Sequence, residues 1–268
     1  MLYGAIIGDI VGSKYEFNNI RTKEFNFYDS DMFFTDDTVM SVAIYNALLK
    51  CKGNYKKLSK NAINEMRLYG KLYPRRGYGG NFAMWLTTPY PVPYNSFGNG
   101  SAMRVSAVPY FAKNLDEVKL LSRLVTEVTH NHPEGIKGAE ATAAAIYMAL
   151  NKCSKEEIKA YIEENYYKLD FTLDEIRPTY KFNETCQDTV PQAIKAFLES
   201  ENFEDCIRLG ISIGGDSDTL CAIAGSIAEA YYGINESIKE KALSYLDDNL
   251  KNIVLKANEK EDIKKGRK

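Results

Sequence analysis

The apolar positions of this chain recur at helical spacing almost from end to end. After Thr35-Asp36-Asp37-Thr38, the residues Val39, Val42, Ala43, Ala47 and Leu48 fall close to i, i+3, i+4 intervals. After Asp216-Ser217-Asp218-Thr219 the same period is cleaner, through Leu220, Ile223, Ala224, Ile227, Ala228 and Tyr231. Both runs open on Asp and Thr, residue types that cap helix N-termini. A third helix is predicted over Gly138 to Leu150, where AEATAAAIYMAL offers small side chains for close packing. A fourth follows Pro191, with that proline in its first turn. Near the start, Gly4, Gly8 and Gly12 lie four apart in an apolar run, which suits a helix pressed tightly against neighbours. Glu16 then falls in the loop after that helix.

Strand signals are scarce. Phe25 to Phe34 is aromatic-rich but irregular, and no alternating series follows it. Two long loops are expected, Tyr73 to Gly80 and Thr87 to Ser101, the second broken by Pro89, Pro91, Pro93 and Gly98-Asn99-Gly100. Long loops in a compact helical chain are more often functional than idle. Lys152 to Tyr180 reads as a surface helix and connector. The expectation is one mostly α-helical domain over residues 1–255, followed by a charged, frayed tail over 256–268.

Composition narrows the function. The chain has 268 residues, 34 Lys+Arg against 36 Asp+Glu, a net charge of −2 and 45% hydrophobic residues. That is enough to bury a sizeable core, and it leaves no basic footprint for nucleic acid or an anionic membrane. The five cysteines show no C-x-x-C pair, the start meets Asp9 without a basic leader, and no apolar run could span a bilayer. The expected protein is cytoplasmic and monomeric. It has only two histidines, His130 and His132, which argues against zinc chemistry.

The strongest candidate chemistry lies in the two acidic motifs. Each places two carboxylates and hydroxyls within a few residues at a helix start. Neighbouring carboxylates repel, and a hard cation with oxygen ligands (Mg²⁺, Mn²⁺ or Ca²⁺) removes the conflict. Neither motif alone fills a coordination sphere, but two that meet could hold two ions. An isolated Asp-Thr would be an ordinary cap; two doubled carboxylates favour the metal. The Gly4-Gly8-Gly12 spacing is wrong for a dinucleotide fingerprint. Ser96-Phe97-Gly98-Asn99-Gly100-Ser101 could form a nest of backbone N–H groups for phosphate oxygens, although turns use the same residues. Thr129-His130-Asn131-His132-Pro133 reads as a loop whose histidines bond ligand hydroxyls or cap the backbone.

The motifs together resemble the ADP-ribosylglycohydrolases, in the order GAIIGDIVGSKYE, FTDDTVM, SFGNGSAMRVSAV, THNHPEGIKGAEA, DTVPQAIKAF and GGDSDTLCAIAGSIAEAYYG. The resemblance implies an all-α, single-domain orthogonal helical bundle with a dinuclear metal site in a central cleft. It implies two Mg²⁺ or Mn²⁺ ions held by Thr35, Asp36, Asp37, Asp216, Asp218 and Thr219. Glu16 and Asp37 would be catalytic, with Glu16 approaching the scissile bond from its loop. Ser96, Phe97, Gly98 and Asn99 would hold the diphosphate and adenosine side of ADP-ribose, and His130 would touch the ligand near the ribose. Asp9 would brace this assembly through hydrogen bonds to ligands or loop backbone. The implied activity is hydrolysis of the bond between ADP-ribose and a modified protein side chain, arginine first. ADP-ribosyl-serine, O-acetyl-ADP-ribose or another small conjugate is the alternative substrate, and a non-catalytic ADP-ribose binder the alternative to an enzyme. Arg75 and Arg76 read as solvated.

Overall fold

A computed structural model describes the backbone of residues 1–264 and the side chains of residues 1–259. The helices run α1 (Tyr3–Ser13), α2 (Asp36–Cys51), α3 (Leu58–Leu72), α4 (Gly80–Thr87), α5 (Leu115–Thr126), α6 (Pro133–Leu150), α7 (Lys155–Asn165), α8 (Leu173–Ile176), α9 (Cys186–Glu199), α10 (Phe203–Ile213), α11 (Ser217–Tyr232), α12 (Glu236–Leu243) and α13 (Asp248–Lys264). Among the described residues there is no sheet, only an isolated bridge between Gly98 and Thr185. The all-α expectation therefore holds, and α7 and α8 occupy the expected surface connector.

Every residue of α1 is buried, as a helix apolar on all sides requires. It packs antiparallel on α11 at backbone contact. A Cβ added at Gly4, Gly8 or Gly12 would lie 2.1 Å from the Gly225 carbonyl oxygen, 2.0 Å from that of Cys221, or 2.4 Å from the Asp218 Cα. Glycine is required there because nothing larger fits. The order of these partners sets the direction: the C-terminal end of α1 meets the N-terminal end of α11. Around this pair, α6, α9 and α10 pack against α11, while α2 packs on α3 and α5 on α6.

Three boundaries differ from the sequence expectation. Helix α6 starts at Pro133 instead of Gly138, because His132 caps it, its Nδ1 accepting the Glu134 N–H at 3.1 Å. Proline is tolerated at that first position, where its missing N–H would have no partner. Helix α9 starts at Cys186, so Pro191 sits in its interior and not in its first turn. Backbone pairing beside it fixes that start, with the Cys186 N–H donating to the Phe97 carbonyl at 2.9 Å. Helix α13 runs through the boundary expected at residue 255, and Leu250, Val254 and Ala257 along it are buried. The last part of the expected tail, residues 265–268, lies outside the described residues. No helix among the described residues is long and apolar enough to cross a membrane.

Replacing Gly8 by Ala tests the α1–α11 contact. In an exposed helix the change would gain about 1 kcal/mol from propensity. Here the clash should dominate and cost about 3 kcal/mol, read as a lower thermal or denaturant midpoint. An unchanged midpoint would contradict backbone contact at this position.

Candidate metal centre and ligand cleft

Asp9 lies on α1 one turn before its C-terminal end and is fully buried. Its carboxylate accepts the Thr35 N–H at 2.9 Å, the Thr35 hydroxyl at 2.7 Å and the Thr38 N–H at 3.0 Å. It thus satisfies the free donors at the start of α2 from a different helix. The glycine contact holds the start of α11 against the end of α1, so two helix N-termini converge. Their positive dipole ends favour nearby carboxylates.

The carboxylates gather at that convergence. Oxygens of Asp9, Asp37 and Asp218 lie within 4.8 Å of one another, and those of Glu16, Asp216 and Asp218 form a second such group. Asp218 belongs to both. The Thr219 hydroxyl donates to Asp37 at 3.2 Å, and the Asn99 amide to Asp216 at 2.7 Å. Asp37 Oδ1 is buried and has no hydrogen-bond partner among the described residues. Capping does not account for this arrangement. Asp216 heads α11 yet makes no cap bond, its carboxylate being turned to Asn99.

Burial is the first cause of the perturbed protonation here, and mutual repulsion the second. Asp36, Asp37 and Asp218 are all held well above the usual carboxylate range by burial and by their acidic neighbours. Burial likewise pushes Asp9 and Asp216 up to about 6. Glu16 is pushed up to about 8 by burial, then by Asp218, Asp9 and Glu184. An all-oxygen donor set with an orphaned buried carboxylate oxygen fits a hard divalent cation, whose charge would remove the repulsion.

All of these groups except Asp9 line a cleft of about 260 Å³. The 96–104 segment forms another part of its wall, with Ser96, Asn99, Arg104 and the neighbouring His130. Arg104 is the one cation among the described lining residues, and it is buried without a carboxylate partner. It donates to the Thr129 hydroxyl at 2.7 Å, and Thr129 lies 2.7 Å from His130 Nδ1. The Thr129 hydroxyl also lies 3.3 Å from the Thr126 carbonyl, and a Cβ added at Gly98 or Gly100 would lie 3.5 or 3.6 Å from His130 Nε2, so that nitrogen faces the two glycines. Burial and the Arg104 charge both hold the His130 pKa well below its usual value, so the ring is neutral.

The remaining expected residues are placed as follows. Thr219, Asp37, Asp216, Asp218 and Glu16 come together at the cleft, and Asp36 lines it outside the two tight oxygen groups. The Thr35 hydroxyl lies 2.7 Å from Asp9 and 3.4 Å from Asp37 Oδ2, and Thr35 is not among the residues that line the cleft. Phe97 does not line the cleft; its ring packs on His132 with centroids 5.2 Å apart. The phosphate nest is corrected, because the Gly98 and Asn99 N–H groups donate to Ser96 Oγ and the Glu184 carbonyl within the protein. Arg76 is also corrected: its guanidinium sits 3.8 Å over the Phe34 ring, and its carbonyl accepts the Asp36 N–H at 2.8 Å. Arg104, Tyr94 and Glu184 line the cleft without having been singled out. Arg104 had a signal, a charge alone in the apolar run of SFGNGSAMRVSAV; Glu184 had none.

Comparison with known proteins agrees with this geometry. The sequence model of the family described as ADP-ribosylglycohydrolase matches residues 1–265. ADP-ribosylhydrolase ARH3 of Mus musculus is 26% identical, with 88% of this chain and 83% of that one covered. ADP-ribosylarginine hydrolase Tri1 of Pseudomonas putida is 27% identical over 87% of this chain and 70% of its own. The ADP-ribosyl-[dinitrogen reductase] glycohydrolase of Rhodospirillum rubrum is 28% identical, covering 80% and 73%. A solved ADP-ribosylglycohydrolase-related protein complex shares the fold, with a TM-score of 0.66 at 22% identity, covering 94% of this chain and 93% of its own.

Metal should stabilise the protein through the shared carboxylate. Mn²⁺ at about a hundred times its Kd should add about 2.7 kcal/mol and raise the melting temperature. Asp218→Asn should lose that shift, while melting no lower than wild type in the absence of metal because a repulsive charge has gone. A shift of wild-type size in Asp218→Asn would contradict a centre built around this residue.

Proposed function

This chain belongs to the ADP-ribosylglycohydrolase family, and from that footing we propose that it is a metal-dependent hydrolase that cleaves ADP-ribose from arginine side chains of modified proteins. The observation that carries the reading is one cleft holding two kinds of group. Asp36, Asp37, Asp216 and Asp218 would supply oxygen ligands for two divalent cations, with Thr219 and the Glu16 carboxyl beside them, while Arg104, His130 and Ser96 supply positive charge and hydrogen-bonding groups for a diphosphate and its ribose. Bound Mg²⁺ or Mn²⁺ supplies Lewis acidity toward the ribose hydroxyls and lowers the pKa of a water at the site.

The chain's own residues then do the following. His130 Nε2 and the Ser96 hydroxyl orient the ligand, with Arg104 offsetting its negative charge. Positive charge develops on the ribose as the C1–N bond breaks, and the surrounding carboxylates stabilise it. Water adds at C1 as the guanidine leaves. Glu16, half-buried at the edge of the cleft, carries the proton from that water to the leaving nitrogen. Asp37 holds its place between Thr219 and the centre.

The choice of arginine draws on the rim. Phe17 and Phe182 stack with centroids 5.7 Å apart and are 83% and 40% exposed. Phe17 follows Glu16 directly in the chain and Phe182 lies two positions before Glu184, and both glutamates line the cleft. Aromatic faces with flanking carboxylates suit a planar guanidinium better than a serine hydroxyl. In this reading the chain acts as a cytoplasmic monomer whose partner is an ADP-ribosylated protein, with no role for nucleic acid or membrane.

A panel of ADP-ribosyl-arginine, ADP-ribosyl-serine and O-acetyl-ADP-ribose with Mg²⁺ or Mn²⁺ tests the proposal. Free ADP-ribose should appear fastest from the arginine conjugate, and no release from any of the three would overturn the enzyme reading in favour of a binding protein. Glu16→Gln should slow turnover about a hundredfold while free ADP-ribose binds within about threefold of wild type. Glu184→Gln with Phe182→Ala should lower kcat/KM about tenfold for the arginine conjugate alone; an equal loss on all substrates would contradict a rim that reads guanidinium.

A further inference from the structure

Glu16 is borne by a loop, and that loop must hold its carboxylate beside Asp216 and Asp218. At its start it is anchored by Tyr15, whose buried ring packs on Phe25 at 5.1 Å. After Glu16 and the exposed Phe17, the next anchor is Asn19. Its Nδ2 lies 2.7 Å from the Tyr15 carbonyl, 3.0 Å from that of Glu16 and 2.9 Å from that of Gly215. Its Oδ1 accepts the Gly215 N–H at 2.8 Å. One side-chain amide therefore pairs both backbone groups of Gly215, as a neighbouring strand would, while also reaching the carbonyl of Glu16.

The turn it grips is also held by the Ser217 hydroxyl, which donates to the Gly215 carbonyl at 3.3 Å, and by the Gly214 N–H, which donates to the Ile211 carbonyl at 3.0 Å. Gly214 and Gly215 have φ of +70° and +83° and carry no side chains of their own. A Cβ at Gly215 would lie 2.3 Å from Tyr180 Cε1, so Tyr180 walls the turn on another side. Arg21 extends the same seam, donating to the Tyr180 carbonyl at 2.7 Å. Gly215 immediately precedes Asp216, so a shift of this turn relative to the Glu16 loop changes the distance between Glu16 and the acidic cluster. Only a side chain carrying both a donor and an acceptor can make this pairing.

We propose that Asn19 is the positioning residue for Glu16, an amide clamp that sets the Glu16 carboxylate against the Asp216–Asp218 turn. The inference rests on Glu16 taking part in the chemistry. It predicts that Asn19 acts on rate through Glu16 and leaves the affinity of the site for metal and ligand nearly intact.

The test is a double-mutant cycle followed in single turnovers on an ADP-ribosyl-arginine substrate. Asn19→Ala should lower the rate about tenfold or more with KM within about threefold. In a Glu16→Gln background the same change should alter the rate less than about twofold. Mn²⁺ affinity, read by electron paramagnetic resonance, should stay within about threefold of wild type. Asn19→Ser, which keeps a smaller hydrogen-bonding group, serves the same cycle if the alanine variant does not fold. A full rate loss that recurs in the Glu16→Gln background overturns the clamp, as does a large loss of Mn²⁺ affinity, which would put Asn19 to work through the ligand turn. A Glu16→Gln variant as fast as wild type overturns the reading of Glu16, and the clamp with it.

Discussion

Backbone contact between α1 and α11 is the constraint on which the site depends. Gly4, Gly8 and Gly12 bring one helix against Gly225, Cys221 and Asp218 of the other at distances no side chain could share. Because the pairing is antiparallel, the last turn of α1 lies beside the first turn of α11. One contact thereby places Asp9, the Glu16 loop and the Asp216–Asp218 turn in the same region. A looser pairing would still bury apolar surface, but it would separate the carboxylates that the chemistry needs together.

A second constraint follows from charge. Bringing five carboxyl groups into a buried space is unfavourable, and the fold offsets this only in part. Asp9 is compensated by the N–H groups of α2 and the Thr35 hydroxyl, Asp216 by Asn99, and Asp37 by Thr219. Asp37 Oδ1 receives no such partner. The remaining repulsion makes the site receptive to cations: a charge conflict left in the fold becomes affinity for what resolves it.

The opposite polarity appears a few residues away. Arg104, buried without a carboxylate, is relayed through Thr129 to a neutral His130. Asn99 joins the two regions, since it sits on the segment that carries this wall and its amide holds Asp216. Movement of the 96–104 segment would therefore be felt at the acidic cluster. The same economy appears at the other edge, where the amide of Asn19 joins the Glu16 loop to Gly215.

Periodicity alone was sufficient for the all-α class, for α2 and α11, and for the buried first helix, because those signals come from local spacing. The two acidic motifs and the glycine repeat were legible for the same reason: each is a short run whose chemistry conflicts with a bland reading. Boundaries set by distant partners were not legible. The start of α9 depends on the Phe97 carbonyl, and α13 extends because Val254 and Ala257 meet the core. The sequence also could not say that the Gly98 and Asn99 amides would be spent inside the protein, or that Arg76 would lie on Phe34. Glu184 and Asn19 carry no motif, and their roles exist only through what faces them. What this sequence determined by itself was which residues could carry the chemistry; which of them meet, and which are turned away to hold the rest in place, was decided by tertiary contacts between segments that lie as much as 225 residues apart.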